Sequence, residues 1–485
     1  MPLERVSLDV VTSWCLVSLG VLAGFVLLVW VVPSNYSPDS WSYYELSRSF
    51  FSDFYRITNY RSYATDAYSA AFPPAWPGAI AVFNAMFGMG YTAGHVLAAF
   101  FWAGTTLVVE WRFRAIVHRS YLGLLLGGLL LLHPAYVNEV SAGRAIPFAI
   151  FLLCILFFLL IGFFAMPSRR AASVIGFCIG AMVMARFDAI LWIVPVACAI
   201  LLYTRRLSMV AVTVLSFLLM ISPWIIYSQV HFDAWFFTDN GWVASSMRPD
   251  AFVTDWPVGG PSIFSDLGLV FERVLERGPL VAARFVHSFP VWGIIMLLLL
   301  AIYVRPCFGH AGFRQTYWVL GTALAGMSLS LLPFILTGYA SVRYFAAFFV
   351  VVALFMIWKS ARIPLWAAVL AVLVVSMGIM HSVRQQKQGG MPHPSDADIM
   401  ECLASAPQGL AVFGEATTAA RLSALYGVRT GFLPKNLSQK EHDIAAESAF
   451  VKAYEVSVFV GPLMTNPPLS VIGGLYRCPN PGKGF

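Results

Sequence analysis

The sequence predicts an α-helical polytopic membrane protein with about eleven transmembrane helices and a small α/β unit at its C-terminal end. Three observations predict it. Hydrophobic residues make up 59% of the 485 and charged residues only 11%, where a soluble domain carries roughly a quarter charged. The apolar residues gather in runs near the roughly 20 residues that cross a bilayer. The arginines recur in short connections on one side of those runs, as the positive-inside rule requires. That placement accounts for the net charge of +7, so nucleic acid is not an expected partner.

Taken in order, the spans fall at about residues 10–32, 91–109, 115–133, 146–166, 172–185, 187–204, 207–227, 286–304, 315–336, 344–358 and 363–380. The first lacks a small-residue cleavage site and reads as a signal anchor. Between Ala171 and Tyr203 the chain is almost wholly apolar, interrupted by Arg186 and Asp188 and flanked by Arg169-Arg170 and Arg205-Arg206. One long span would put an arginine pair on each side of the membrane. Two short helices meeting at Arg186 keep both pairs inside. With the N-terminus cytoplasmic, the inner loops hold twelve basic residues, from Arg5 to Arg362, against the acids Glu4, Asp9 and Glu110. An odd number of spans then leaves the C-terminal region outside.

Three outer segments are too long for simple connections: 33–90, 229–284 and the region from His381 onward. In the first, Trp41 to Phe54 and Pro77 to Phe87 read as helices lying in the interface. Residues 1–380 form the transmembrane module, 381–398 a polar linker, and 399–485 an outer α/β domain. In that domain 409–414 and 456–460 read as strands and 417–426 as a helix. Cys402 and Cys478 bracket it. An oxidising compartment allows a disulfide between them, the alternative being two unpaired buried thiols. No CxxC or Cys/His cluster marks a metal site.

The residues that bear on chemistry begin with Asp39, followed by Tyr43 and Tyr44. An aspartate opening an interfacial helix can be its N-cap. A carboxylate held at headgroup level can also act as general base on an acceptor hydroxyl. Glu139 and Arg144 lie five apart ahead of the fourth span; they can pair, or Glu139 can serve as a second carboxylate and Arg144 snorkel to headgroups. Arg186 must be paired or face a polar cavity, with Asp188 its nearest partner. The outer tryptophans Trp41, Trp76, Trp235, Trp242 and Trp256 fit interfacial anchoring better than stacking on a sugar.

Several motifs in order carry a resemblance. Asp39 with Tyr43 and Tyr44 is followed by Phe72-Pro73-Pro74-Ala-Trp76-Pro-Gly78, ahead of an apolar helix ending Met86-Phe-Gly88. Then come Gly180-Ala-Met-Val-Met-Ala-Arg186-Phe-Asp188, Arg343-Tyr344, Ala420-Arg-Leu-Ser-Ala-Leu-Tyr-Gly427-Val-Arg429 and Leu433-Pro434. The chain resembles the GT-C superfamily of polyprenyl-phosphate-sugar-dependent glycosyltransferases, of the protein O-mannosyltransferase and lipid A aminoarabinose transferase type. The resemblance implies a sugar moved with inversion from a polyprenyl-phosphate donor to a hydroxyl of a glycan, lipid or protein acceptor. It implies Asp39 as general base, Tyr43, Tyr44, Pro73, Pro74 and Trp76 in the substrate loop, and Arg61, Arg144, Arg186 and Arg343 on the lipid phosphate. It also implies a bacterial inner-membrane location with the C-terminal domain in the periplasm. No obligatory cofactor and no divalent metal are expected, because cationic side chains can neutralise a monophosphate leaving group.

Two positions depart from the pattern. Relatives often carry Lys before Pro-Pro, where Phe72 stands, and an acid at the start of the fourth span, near Arg144. These departures keep open a GT-C-like protein without activity. An O-antigen polymerase or ligase would show a large basic loop late in the chain and no terminal α/β domain. A secondary transporter would show an internal repeat and polar mid-span positions; neither is evident.

Overall fold

The computed structural model describes residues 8–236 except 53–54, 56–68, 70, 118–119 and 132, together with 238, 267–288, 313–337, 342–359, 396–404, 410–413, 421–422, 424–426, 430–432, 456–460 and 476–478. The chain enters as α1 (Leu8–Val26), which continues as a π-helical turn over Leu27–Val31. Next come α2 (Pro38–Ser49), α3 (Ala75–Phe87), α4 (Ala93–Val117), α5 (Leu122–Leu131), α6 (Pro134–Ser141) and α7 (Ile146–Ala165). Then α8 (Arg169–Ala185) gives way to a 3-10 turn (Phe187–Trp192), followed by α9 (Ile193–Thr204) and α10 (Leu207–Phe232). The later helices are α11 (Leu267–Ser288), α12 (Phe313–Ser330), α13 (Leu332–Thr337), α14 (Val342–Lys359) and α15 (Asp396–Ala404).

Among the described residues six helical stretches are long and apolar enough to cross a membrane: Val10–Val31, Gly90–Ile116, Ile146–Ala165, Phe187–Thr204, Leu207–Phe232 and Gln315–Ile335. The pair α5 and α6, bent by 85°, makes a seventh if it is counted as one broken span rather than a re-entrant loop. The protein is therefore a multi-pass membrane protein. The expected spans at 286–304 and 363–380 lie outside the described residues, apart from the backbone of 286–288 in α11.

Small residues let the spans approach. A Cβ on Gly176 would lie 2.1 Å from the Thr213 carbonyl, and one on Gly180 2.6 Å from the Met220 side chain. These two glycines, four apart on α8, give α10 a flat face to lie against, as in membrane helix pairs that gain stability from close packing. The Ser173 and Ser216 hydroxyls, 2.8 Å apart, bond across the same seam. The core so formed is continuous from Val17 on α1 to Ile357 on α14.

Glu110 corrects the expectation of an inner-loop acid. It lies within α4, fully buried. Its carboxylate accepts from the backbone N–H of Tyr121 at 2.7 Å and of Gly123 at 2.9 Å, and from Arg114 at 2.9 Å. It therefore caps the start of α5, where free amide donors and the helix dipole favour a negative charge. Arg114 also donates to the Ser13 hydroxyl at 2.7 Å and lies 4.5 Å from the Trp14 ring. These contacts bind α1, α4 and α5 at one end. A loop acid would have been solvated; this one sits inside because α4 runs on to Val117, about two turns beyond the expected end of the span at 109.

Beyond α15, four short strands form one parallel sheet in the order β2-β1-β3-β4, with β1 Leu410–Phe413, β2 Thr430–Phe432, β3 Val456–Val460 and β4 Tyr476–Cys478. The runs Leu-Ala-Val-Phe and Val-Ser-Val-Phe-Val are apolar with little alternation, which suits strands covered on both faces. Cys402 on α15 is disulfide-bonded, and α15 packs against β4. The strands expected over 409–414 and 456–460 form, as β1 and β3. Of the helix expected over 417–426, Arg421, Leu422 and Ala424 to Tyr426 are helical and the rest lies outside the described residues.

Candidate functional site

The site is built outward from the end of the first span. Val32 N–H donates to the Leu27 carbonyl at 2.9 Å, a step of five residues. Pro33 follows and has no N–H to give. The Leu28 carbonyl is thereby left without a helical donor. His95 on α4, buried, supplies one: its Nε2 stands 2.8 Å from that oxygen. Nε2 must carry the proton, so in the neutral ring Nδ1 accepts from the Ser34 hydroxyl at 2.9 Å. Asn35 continues the fastening, donating from its backbone N–H to the Ser141 carbonyl at 3.2 Å and from its side chain to Asn138 at 2.8 Å.

Ser37 then starts α2. Its hydroxyl accepts from the Ser40 N–H at 3.3 Å, and the Ser40 hydroxyl accepts from the Ser37 N–H at 3.0 Å, a reciprocal capping box with Pro38 at the first helical position. Ser37, not Asp39, is the N-cap. The helix begins at Pro38 and ends at Ser49, rather than spanning Trp41 to Phe54. Asp39 sits in its first turn, half-buried, where the helix dipole favours the ionised carboxylate.

Arg144 ties this cap to the core. Its Nε donates to the Ser37 hydroxyl at 2.9 Å, and its Nη1 pairs with the Glu139 carboxylate. The Glu139 side chain is 1% exposed and that of Arg144 14%, so the pair is screened little and needs its hydrogen bonds. The turn that presents Arg144 depends on Gly143, with φ of 65°. A Cβ there would lie 2.7 Å from the His95 nitrogen. Trp76, fully buried, donates from its indole to the Gly143 carbonyl at 3.0 Å.

An aromatic row joins α2 to the broken span. The Tyr43 ring lies 4.7 Å from Phe72, whose carbonyl accepts from the Tyr55 hydroxyl at 2.8 Å. Tyr55 lies 6.3 Å from Trp224, and Trp224 4.8 Å from Phe187. Phe72 thus packs where the resemblance would place a lysine. Burial holds the Tyr55 phenol well above its ordinary pKa, and pushes Tyr36 up to about 12, so both remain neutral donors in the physiological range. Tyr44, half-buried, packs beside Tyr36 and Trp41. Pro73 is buried and Pro74 holds the N-cap position of α3, which runs from Ala75 rather than Pro77.

Next to Phe187, Arg186 is the extended residue at which α8 stops. Two short helices do meet here. The guanidinium faces Asp188 with Nε 3.1 Å from one carboxylate oxygen and Nη2 3.2 Å from the other. Both side chains are about one-fifth exposed. They border a small pocket of about 60 Å³, whose other walls include Ile150, Leu153, Met182, Met327 and Phe334. The polar element is thus a charge pair at the edge of a small apolar pocket.

The structure brings Asp39, Tyr43, Tyr44, Pro73, Pro74, Trp76, Glu139 and Arg144 to one end of the helical module, joined to Arg186 by the aromatic row. Arg61 lies outside the described residues, as do Trp242 and Trp256. The backbone of Arg343 opens α14 and that of Cys478 closes β4, but their side chains also lie outside. Among the described residues no group of three or more His, Cys, Asp or Glu is placed to hold a metal. Sequence reasoning missed Ser37, His95 and Gly143. Ser-Pro-x-Ser was a legible capping signal for Ser37; nothing local marked the other two.

No protein-family model and no curated protein matches the chain. Solved structures do. A crystal structure of ArnT from Cupriavidus metallidurans bound to undecaprenyl phosphate superposes with a TM-score of 0.54 at 15% identity, covering 96% of this chain and 90% of that one. The Archaeoglobus fulgidus oligosaccharyltransferase, in complex with Zn and sulfate, gives 0.55 at 13% identity over 86% of this chain and 62% of that one. Its apo form gives 0.52 at 11% identity. This chain therefore spans about three-fifths of the oligosaccharyltransferase's length, and nearly all of ArnT's. The fold is the one these solved structures share.

Proposed function

We propose that this protein is a membrane glycosyltransferase of the GT-C type that moves a sugar from a polyprenyl-phosphate donor to an acceptor hydroxyl, with Asp39 as general base. The observation that carries the reading is the position of Asp39. It is half-buried in the first turn of α2, in a helix already capped by Ser37, so capping does not account for it. The similar ArnT was crystallised with undecaprenyl phosphate, which supports a lipid-phosphate donor here.

In the proposed step the acceptor oxygen forms a bond to the anomeric carbon from the face opposite the phosphate. Its proton passes to the Asp39 carboxylate. The bond from the anomeric carbon to the phosphate oxygen breaks, and the lipid phosphate leaves with the electron pair. Configuration inverts. A leaving dianion calls for cationic donors, and Arg186, at the edge of a small apolar pocket, is a candidate with Arg61 and Arg343. Arg144 and Arg186 each have two nitrogens engaged, Arg144 by Glu139 and Ser37 and Arg186 by Asp188; Arg144 is the one bonded to the cap of α2, and we assign it to positioning that helix. Glu139 is then its buried counter-ion rather than a second catalytic carboxylate. The cations make a metal unnecessary for charge neutralisation.

The reading also places the protein in a bacterial inner membrane, with this end of the module and the α/β domain over residues 399–485 on the periplasmic side, and pairs Cys402 with Cys478. The test supplies purified protein, in parallel buffers without and with EDTA, with a panel of radiolabelled polyprenyl-phosphate sugars. Wild-type protein should release lipid phosphate, and Asp39→Asn should lower the rate by at least about 100-fold, the scale of a general base, without changing the unfolding temperature. Retained turnover in the variant would remove Asp39 from the role. Loss of wild-type turnover on adding EDTA would overturn metal independence.

A further inference from the structure

α2 is held from two sides. Its N-terminal end is tied to the helical core through Arg144 and Ser37, and Leu46 and Phe50 pack its C-terminal end on the same core. The second hold comes from far along the chain. Arg48, in the last turn, reaches out and donates from Nη1 to the backbone carbonyl of Ala424 at 2.7 Å. Ala424 belongs to the C-terminal α/β segment, 376 residues away.

This contact has the marks of a built joint. Ala424 is helical, and its carbonyl accepts from a charged donor, the stronger kind of hydrogen bond. Beside it, Tyr36, Trp41 and Ala424 form one buried cluster, with Tyr44, Tyr91 and Leu425 packed against it. Trp41 and Ala424 are both wholly buried. The rings of Tyr36, Trp41 and Tyr91 stand 5.2 to 5.6 Å apart, so the cluster is filled by its own side chains. Trp41 is two residues from Asp39 on the same helix. An indole seated under the terminal segment therefore fixes the rotation of α2 about its axis, and with it the direction in which the Asp39 carboxylate projects.

We propose that the C-terminal α/β segment is a working part of the active site, and that Arg48 is a positioning residue which holds α2, and hence Asp39, through the Ala424 carbonyl. The segment acts as the outer jaw of a clamp whose inner jaw is Arg144. The catalytic half of this inference rests on Asp39 being the base; the mechanical half does not.

The experiment uses the full chain in detergent and compares wild type with Arg48→Ala and Arg48→Lys. Hydrogen–deuterium exchange is read over α2, over the peptide containing 421–426, and over α7 as a control for folding. Arg48→Ala should speed exchange roughly tenfold in both α2 and 421–426, the effect of one charge-assisted hydrogen bond, while α7 stays unchanged. Turnover of the polyprenyl-phosphate sugar should fall about as much in kcat, with KM for the donor unaltered, and Arg48→Lys should recover part of both effects. Faster exchange at 421–426 alone would show a docked segment that does not position α2, and would overturn the proposal. So would unchanged exchange at both places. If wild-type protein turns over no donor, the general-base reading fails while the exchange result still decides the joint.

Discussion

At the scale of single residues, the end of the module that carries Asp39 is held by groups that contribute nothing to the proposed reaction directly. Gly143 is the sharpest case. Its backbone is left-handed at φ 65°, and the space where a side chain would begin is filled by the backbone of Gly94 and His95. Gly143→Ala should therefore cost about 2 kcal/mol or more, from the left-handed conformation together with a clash that rigid backbone cannot relieve. A thermal melt in detergent should show the midpoint lowered, and an unchanged midpoint would mean that the turn is looser than its contacts indicate. Neither Gly143 nor its neighbour His95 was legible in the sequence. A glycine in a membrane protein has many ordinary reasons to be there, and the carbonyl that His95 satisfies is orphaned only by a helix pitch that the sequence does not announce. Asp39 and Arg186 were legible, because a charge next to an apolar run demands an explanation.

At the scale of elements, the broken span between α8 and α9 shows what charge placement can and cannot reveal. Flanking arginine pairs predicted two helices meeting at Arg186, and the chain does turn extended there. The 3-10 turn that follows, and the bidentate match with Asp188, needed coordinates. The pair should be coupled: a double-mutant cycle with Arg186→Ala and Asp188→Ala should give an interaction energy of about 1–3 kcal/mol in unfolding free energy. Additive losses would mean that each side chain is stabilised by something other than its partner. The start of α2 was misplaced by three residues for a related reason. Apolar periodicity begins at Trp41, but the helix begins where Ser37 and Pro38 can cap it, and capping chemistry outweighs periodicity at a helix end.

At the scale of the whole molecule, composition and arginine asymmetry were enough for the class, and the ordered motifs pointed to the fold that the solved structures share. They were not enough for the boundary between α4 and α5. Glu110 looked like a loop acid because carboxylates in spans are rare; its three donors are brought together only by the packing of α1, α4 and α5. The proposed orientation of the molecule rests on the same arginines and is open to a direct test. Cysteines introduced as Ser120→Cys and Gly390→Cys should differ toward a membrane-impermeant thiol reagent added from outside, with 390 labelled and 120 protected. Labelling of 120 alone would turn the protein over in the membrane and move the Asp39 end to the cytoplasm.

The fastening of Leu28 by His95 bears on how the protein meets bilayers of different thickness. A span that ends in water can slide until its apolar length matches the lipid. The first span has no such freedom at the Asp39 end, since its last turn, Ser34 and Asn35 are each bonded to α4 or α6. The opposite end is tied as well, Arg114 holding Ser13 and Trp14, so any adjustment falls to the lipid. Depth below the headgroups, at the end where the chemistry is proposed, is thus set by the protein and not by the membrane.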